Sequence, residues 1–165
     1  KVAPNGITLN ELVAEYCDGM ADGHTLQAYL PGGASGGILP ASMADLPLAF
    51  GTLEEHGAFV GSGAVVVLSQ KDDIRAAALN LTQFFEDESC GQCTPCRYGN
   101  PTLLEGVEML RNGRCSAGYL KELVSLGESV QISSKCGLGQ SSANAFLSII
   151  EHFKEEIMGR TVDAV

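Results

Sequence analysis

The strongest constraint in this sequence is a run of three evenly spaced cysteines, Cys90, Cys93 and Cys96, with a fourth, Cys136, 40 residues further on. The three form a C-x2-C-x2-C pattern, so the chain there must bend tightly enough for successive sulfurs to face one centre. Thiolates are the usual ligands of iron–sulfur clusters, and a four-iron cluster takes four of them. Two chained C-x2-C turns can wrap three sulfurs around one face of a cubane. The fourth corner then needs a cysteine from elsewhere in the fold. Cys136 fits that role, in the glycine-flanked loop Ser134-Lys135-Cys136-Gly137-Leu138-Gly139 before the last predicted helix. Zinc is the competing metal, although structural zinc sites usually draw their ligands in two separated pairs. Pro95 suits the first turn of a helix, and free N–H groups at such a start would stabilise charged thiolates. Arg97 and Lys135 each adjoin a proposed ligand. They read equally well as charge-offsetting groups and as ordinary solvated cations.

The remaining titratable and reactive residues suggest less. Cys17 and Cys115 have no ligand spacing and read as free thiols. Three clustered cysteines in a chain of 165 residues argue against a disulfide framework and for a reduced, cytoplasmic compartment. His24, His56 and His152 are scattered, and none is assigned a catalytic role. The glycine-rich stretch Pro31–Gly37 lacks a Walker lysine and G-x-G-x-x-G spacing, so it reads as a turn and not a phosphate cradle. The acidic triplet Glu86, Asp87 and Glu88 reads as a solvated helix end. With 20 acidic against 10 basic residues, the net charge of −10 disfavours nucleic acid and anionic lipid as partners. No uncharged apolar stretch is long enough to insert into a membrane.

Two regions differ in texture. Residues 1–70 are rich in Gly and Pro. There, Thr8 and Glu11 have capping-box spacing at the start of a helix with Leu9, Leu12, Val13 and Tyr16 on one face, ended by Gly19 and Gly23. Thr25–Leu30 reads as a strand, and the valine-rich run Ala64–Leu68 as a buried one. Residues 71–165 are helical in pattern. One helix starts at Asp72 or Asp73 and runs to Glu88. A second carries Leu103, Leu104, Val107 and Leu110 and ends near Asn112-Gly113. A third spans Ser116–Gly127. A fourth is capped by Ser141 or Ser142, carries Phe146, Ile149, Ile150, Phe153 and Ile157, and closes at Gly159. The expectation is an α+β protein, a small sheet packed on one helix followed by a four-helix bundle.

Glu88 through Arg97 (ESCGQCTPCR) resembles the signature of the flavin-carrying, NADH-oxidising subunits. These are the NADH-binding subunit of respiratory complex I, the diaphorase subunit of NAD-reducing hydrogenases and the beta subunit of NAD-dependent formate dehydrogenases. Leu30–Ser35, Gly61–Val67 and Asn80–Phe85 fall in the same order as in that family. Pro31–Met43 and Phe84–Arg97 are most similar to the formate dehydrogenase version. The resemblance implies a ubiquitin-like β-grasp domain of the soluble ligand-binding type, its first strand clipped before Lys1, followed by a helical cluster domain. It implies Cys90, Cys93, Cys96 and Cys136 as ligands of a 4Fe-4S cluster. It also implies FMN and NAD(H) in an N-terminal domain absent from this sequence, and as partners the other iron–sulfur subunits of a parent complex, a ferredoxin-like subunit and a catalytic subunit. One departure is Tyr98-Gly99-Asn100-Pro101 after Cys96-Arg97, where Pro101 is expected to shift the helix start.

Two functions follow as expectations. The first is an electron relay beside FMN, which would break a two-electron hydride event into single-electron steps. The second is a non-redox module that binds a partner or ligand and uses its cysteines only to staple the helices.

Overall fold

The structure, a computed structural model, describes residues 2–158. It has α+β character and divides into two compact units, residues 1–74 and 75–165. The expected helix stop at Gly159 lies outside the described residues.

In the first unit the expected capping box forms. The Glu11 N–H donates to Thr8 Oγ1 at 3.2 Å, and the Thr8 N–H donates to Glu11 Oε2 at 2.9 Å. The helix it starts, α1 (Leu9–Glu11), widens at once into a π-helical stretch over Leu12–Tyr16. The sheet is antiparallel, in the order β2-β1-β3, with β1 at Leu26–Leu30, β2 at Leu39–Pro40 and β3 at Val66–Ser69. Strand β2 is only two residues long and gives no periodic signal in the sequence. Leu9, Tyr29, Leu39, Leu48 and Leu53 form the core. The run containing β3 is not buried as expected. Val66 is 44% exposed, and of the strand's residues only Ser69 is buried. An apolar run specifies a strand but not that both of its faces are covered.

The glycine-rich stretch is a turn held by close backbone approach. A Cβ on Gly32 would come within 2.3 Å of the Phe59 carbonyl oxygen, and Gly33 and Gly37 have φ of 75° and 77°.

Tyr29 is wholly buried, and its hydroxyl donates to the Met43 carbonyl at 2.9 Å. Burial pushes its pKa up to about 12. A raised folded pKa means that the neutral phenol is favoured in the fold. The contribution is complete below the ordinary tyrosine pKa near 10 and is lost as pH rises towards 12. Its size is on the order of 2 kcal/mol. Urea titrations between pH 9 and 12 should show wild type losing stability that Tyr29→Phe keeps. Parallel curves for the two proteins would contradict this.

In the second unit, α2 spans Ile74–Asp87, α3 Thr94–Arg111 and α4 Ala117–Ser133. Asp72 does not cap α2. Its carboxylate accepts instead from the Ser69 N–H and hydroxyl, at 2.6 and 2.8 Å. Pro101 does not shift the start of α3. The helix begins at Thr94 and runs through Pro101, at the cost of one ladder N–H. Helix α4 continues past Gly127, where the sequence suggests a stop. A Cβ on Gly127 would lie 3.3 Å from Ala143 and Leu147, so that glycine serves packing and not termination. Gly99 faces Val130 and Gly106 faces Leu123, with Cβ clearances of 2.2 and 2.4 Å, which sets α3 and α4 antiparallel at short range. Part of the expected loop before the last helix is itself helical, α5 (Gly137–Ser141), and the expected last helix is two segments, α6 (Asn144–His152) and α7 (Lys154–Met158), separated at Phe153. The Ser141 and Ser142 hydroxyls bond elsewhere, and the N-cap of α6 is Ala143, with no side-chain bond.

Candidate metal centre

The cysteine run occupies the link from α2 to α3. Gly91, at φ 68°, turns the chain, and the Ser89 hydroxyl accepts the Gly91 N–H at 3.3 Å. Cys93 is the N-cap of α3, whose first ladder bond runs from the Arg97 N–H to the Cys93 carbonyl at 3.0 Å. Pro95 follows in the first turn, where its missing N–H costs nothing, and Cys96 sits one position on. Cys136 is the N-cap of the short α5. All six cysteines are free. Cys93 and Cys96 are buried, and Cys90 and Cys136 are exposed.

The structure brings the Cys136 loop against the Cys93–Cys96 turn. The Lys135 backbone N–H, followed by that of Cys96, holds the Cys93 thiol below its ordinary pKa, against a smaller opposing effect of burial. The Ser134 hydroxyl adds a weaker lowering, although its oxygen makes no hydrogen bond of ordinary geometry. On the other buried cysteine, Ser89 Oγ lies 3.1 Å from Cys96 Sγ, and Asn100 Nδ2 donates to that sulfur at 3.4 Å. Asn100 is itself fixed, donating to the Phe85 carbonyl at 3.2 Å and accepting from the Ser142 hydroxyl at 2.7 Å. A Cβ at Gly139 would come within 2.5 Å of Ser134 Oγ and 3.2 Å of Cys96 Cβ, so only glycine leaves this space open.

These residues fit a negatively charged thiolate cluster. Two cysteine sulfurs are buried among N–H donors, a buried hydroxyl has no partner, and a glycine keeps side-chain bulk away. Among the described residues, no three His, Cys, Asp or Glu side chains are grouped as a metal-ion site. The ligands of a cubane each bind a different iron.

Among the other candidates, Lys135 takes part through its backbone N–H. The Arg97 guanidinium sits 4.8 Å over the Tyr98 ring and donates to its hydroxyl at 2.9 Å. Cys115 is fully buried, with its thiol pushed up by burial, and Cys17 is exposed. His24 contacts Ser69 Oγ at 2.9 Å and Lys71 Nζ at 3.2 Å. Sequence reasoning missed Ser89, Asn100, Ser134, Gly139 and Ser142. Only Asn100 carried a usable signal, since it stands four residues after Cys96 on one helix face.

A family model described as the NADH-ubiquinone oxidoreductase-F iron-sulfur binding region matches residues 76–160. The F subunit of NADH-quinone oxidoreductase from Rickettsia rickettsii is 35% identical over 156 residues, which is 94% of this chain and 37% of that protein. Its namesake in Mycobacterium tuberculosis is also 35% identical over 156 residues, 94% of this chain and 35% of that protein. Among solved structures, an NAD+-reducing NiFe hydrogenase in the H2-reduced state superposes with a TM-score of 0.86 at 29% identity, covering 98% of this chain and 27% of that one. The chain thus spans little more than a third of the length of these curated relatives.

Proposed function

Because this chain belongs to the family of the NADH-ubiquinone oxidoreductase-F iron-sulfur binding region, we propose that it is the electron-relay part of an NADH-linked, multi-subunit oxidoreductase, with Cys90, Cys93, Cys96 and Cys136 holding a 4Fe-4S cluster. The observation that carries this reading is the set of donors around Cys93 and Cys96, within the matched region. When bound, the cluster supplies a centre that takes up and releases one electron at a time. The Lys135 and Cys96 N–H groups and the Asn100 amide stabilise its negative charge. Exposed Cys90 and Cys136 keep one side of the centre at the surface, where other iron–sulfur subunits would dock. Residues 1–70 make up a β-grasp domain and residues 71–165 a helical cluster domain. FMN and NAD(H) are held by another part of the parent subunit. Its parent is an NAD-dependent formate dehydrogenase, on the strength of Pro31–Met43 and Phe84–Arg97. The six free cysteines accord with a cytoplasmic compartment. Among the described residues, no helix is long and apolar enough to cross a membrane.

The test is Cys136→Ser in the assembled enzyme. FMN content should stay unchanged while formate-linked NAD+ reduction collapses. Undiminished turnover would refute the relay. Coupling to hydrogen or quinone in place of formate would leave the relay standing and replace the parent.

A further inference from the structure

We propose that the Ser134 hydroxyl donates a hydrogen bond to a sulfur of the bound cluster and thereby raises its reduction potential. This rests on the cluster reading above. Ser134 is 5% exposed, and its oxygen has no hydrogen-bond partner. Its backbone is fixed on both sides: the N–H donates to the Val130 carbonyl at 3.1 Å, and the carbonyl accepts from Gln140 Nε2 at 3.0 Å. The side chain is therefore held in place beside Gly139, Cys96 and Cys93. A buried hydroxyl with no partner is uncommon in a well-packed interior.

The other side-chain donors near these sulfurs have second partners. Asn100 donates to the Phe85 carbonyl and the Cys96 sulfur and accepts from the Ser142 hydroxyl, and Ser89 Oγ accepts the Gly91 N–H and lies 3.1 Å from Cys96 Sγ. Among these groups the Ser134 hydroxyl is the one with no hydrogen-bond partner, so the group that satisfies it is the sulfur-rich centre itself. Reduction adds one negative charge to that centre. A donor to its sulfurs stabilises the reduced form more than the oxidised form, which raises the potential.

The test is an EPR-monitored redox titration of the reconstituted full chain, comparing wild type, Ser134→Ala, Ser134→Gly and Ser134→Thr. Iron and sulfide content are measured on each sample. Loss of the hydroxyl should shift the one-electron equilibrium about tenfold towards the oxidised form, a potential about 59 mV lower. Threonine, which keeps the hydroxyl, should restore the wild-type value. Fully loaded Ser134→Ala or Ser134→Gly at the wild-type potential overturns the proposal. If neither hydroxyl-free variant loads while Ser134→Thr loads at the wild-type potential, the hydroxyl contact is supported. If Ser134→Thr also fails, or loads at a different potential, the role is one of shape and the proposal falls. Wild type without a cluster would instead defeat the reading beneath it.

Discussion

Cys93→Ser should abolish cluster assembly, taking iron and acid-labile sulfide from about four of each per chain to below about one. Cys93 is the most strongly prepared of the four proposed ligands. It is buried at the N-terminus of an 18-residue helix, and two backbone N–H groups hold its thiol towards the charged form. A serine oxygen there keeps its proton at neutral pH and is a poor ligand for iron held with sulfide. Because the donors are backbone groups, the variant leaves them in place and removes only the ligand atom. Cys90→Ser, Cys96→Ser and Cys136→Ser should fall in the same way, because a cubane needs all four corners. Cys115→Ala is the contrasting control. Its thiol is fully buried and is held in its neutral form by burial, so loading should stay near four. Loss of the cluster in Cys115→Ala with retention in Cys136→Ser would mean that the fourth ligand has been misassigned.

Asn100→Leu should lower the unfolding midpoint of the apoprotein by about 5–10 °C. Asn100 is 1% exposed and ties three elements together: the end of α2 through the Phe85 carbonyl, the Cys96 sulfur on α3, and Ser142 after α5. Leucine keeps its branched outline, with bulkier methyl groups, but leaves the Phe85 carbonyl and the Ser142 hydroxyl to find other partners in the interior. Ser142 has one within reach, the Gly139 carbonyl at 3.1 Å. The net cost is therefore about 2–3 kcal/mol. Differential scanning calorimetry checks it, and an unchanged midpoint would show that these bonds carry no stability. The same variant should also load its cluster more slowly, since the Phe85–Cys96–Ser142 connection positions the ligand loop before metal arrives.

The cysteine pattern was legible because it is local: three cysteines lie within seven residues, and their spacing alone dictates a turn. The Thr8–Glu11 box was legible for the same reason. What surrounds the sulfurs was not, because it is assembled from a distance. Ser134 precedes Cys136 by two residues yet faces Cys93, and Ser142 reaches Asn100 across 42 positions. The misread glycine and serines share a cause. Gly127 could be a stop or a contact, and only the 3.3 Å approach of Ala143 and Leu147 decides between them. Ser141 and Ser142 could be caps, and only the carbonyl and amide groups beside them show otherwise. The valine run at β3 was recognisable as a strand, whereas the exposure of Val66 depends on what packs against it.

The most direct measurement is metal and sulfide content after anaerobic reconstitution of the chain, followed by EPR of the reduced sample. About four iron and four acid-labile sulfide per chain, with a signal that appears on reduction and is absent from Cys136→Ser, is the predicted result. Stoichiometric zinc with no acid-labile sulfide would contradict it.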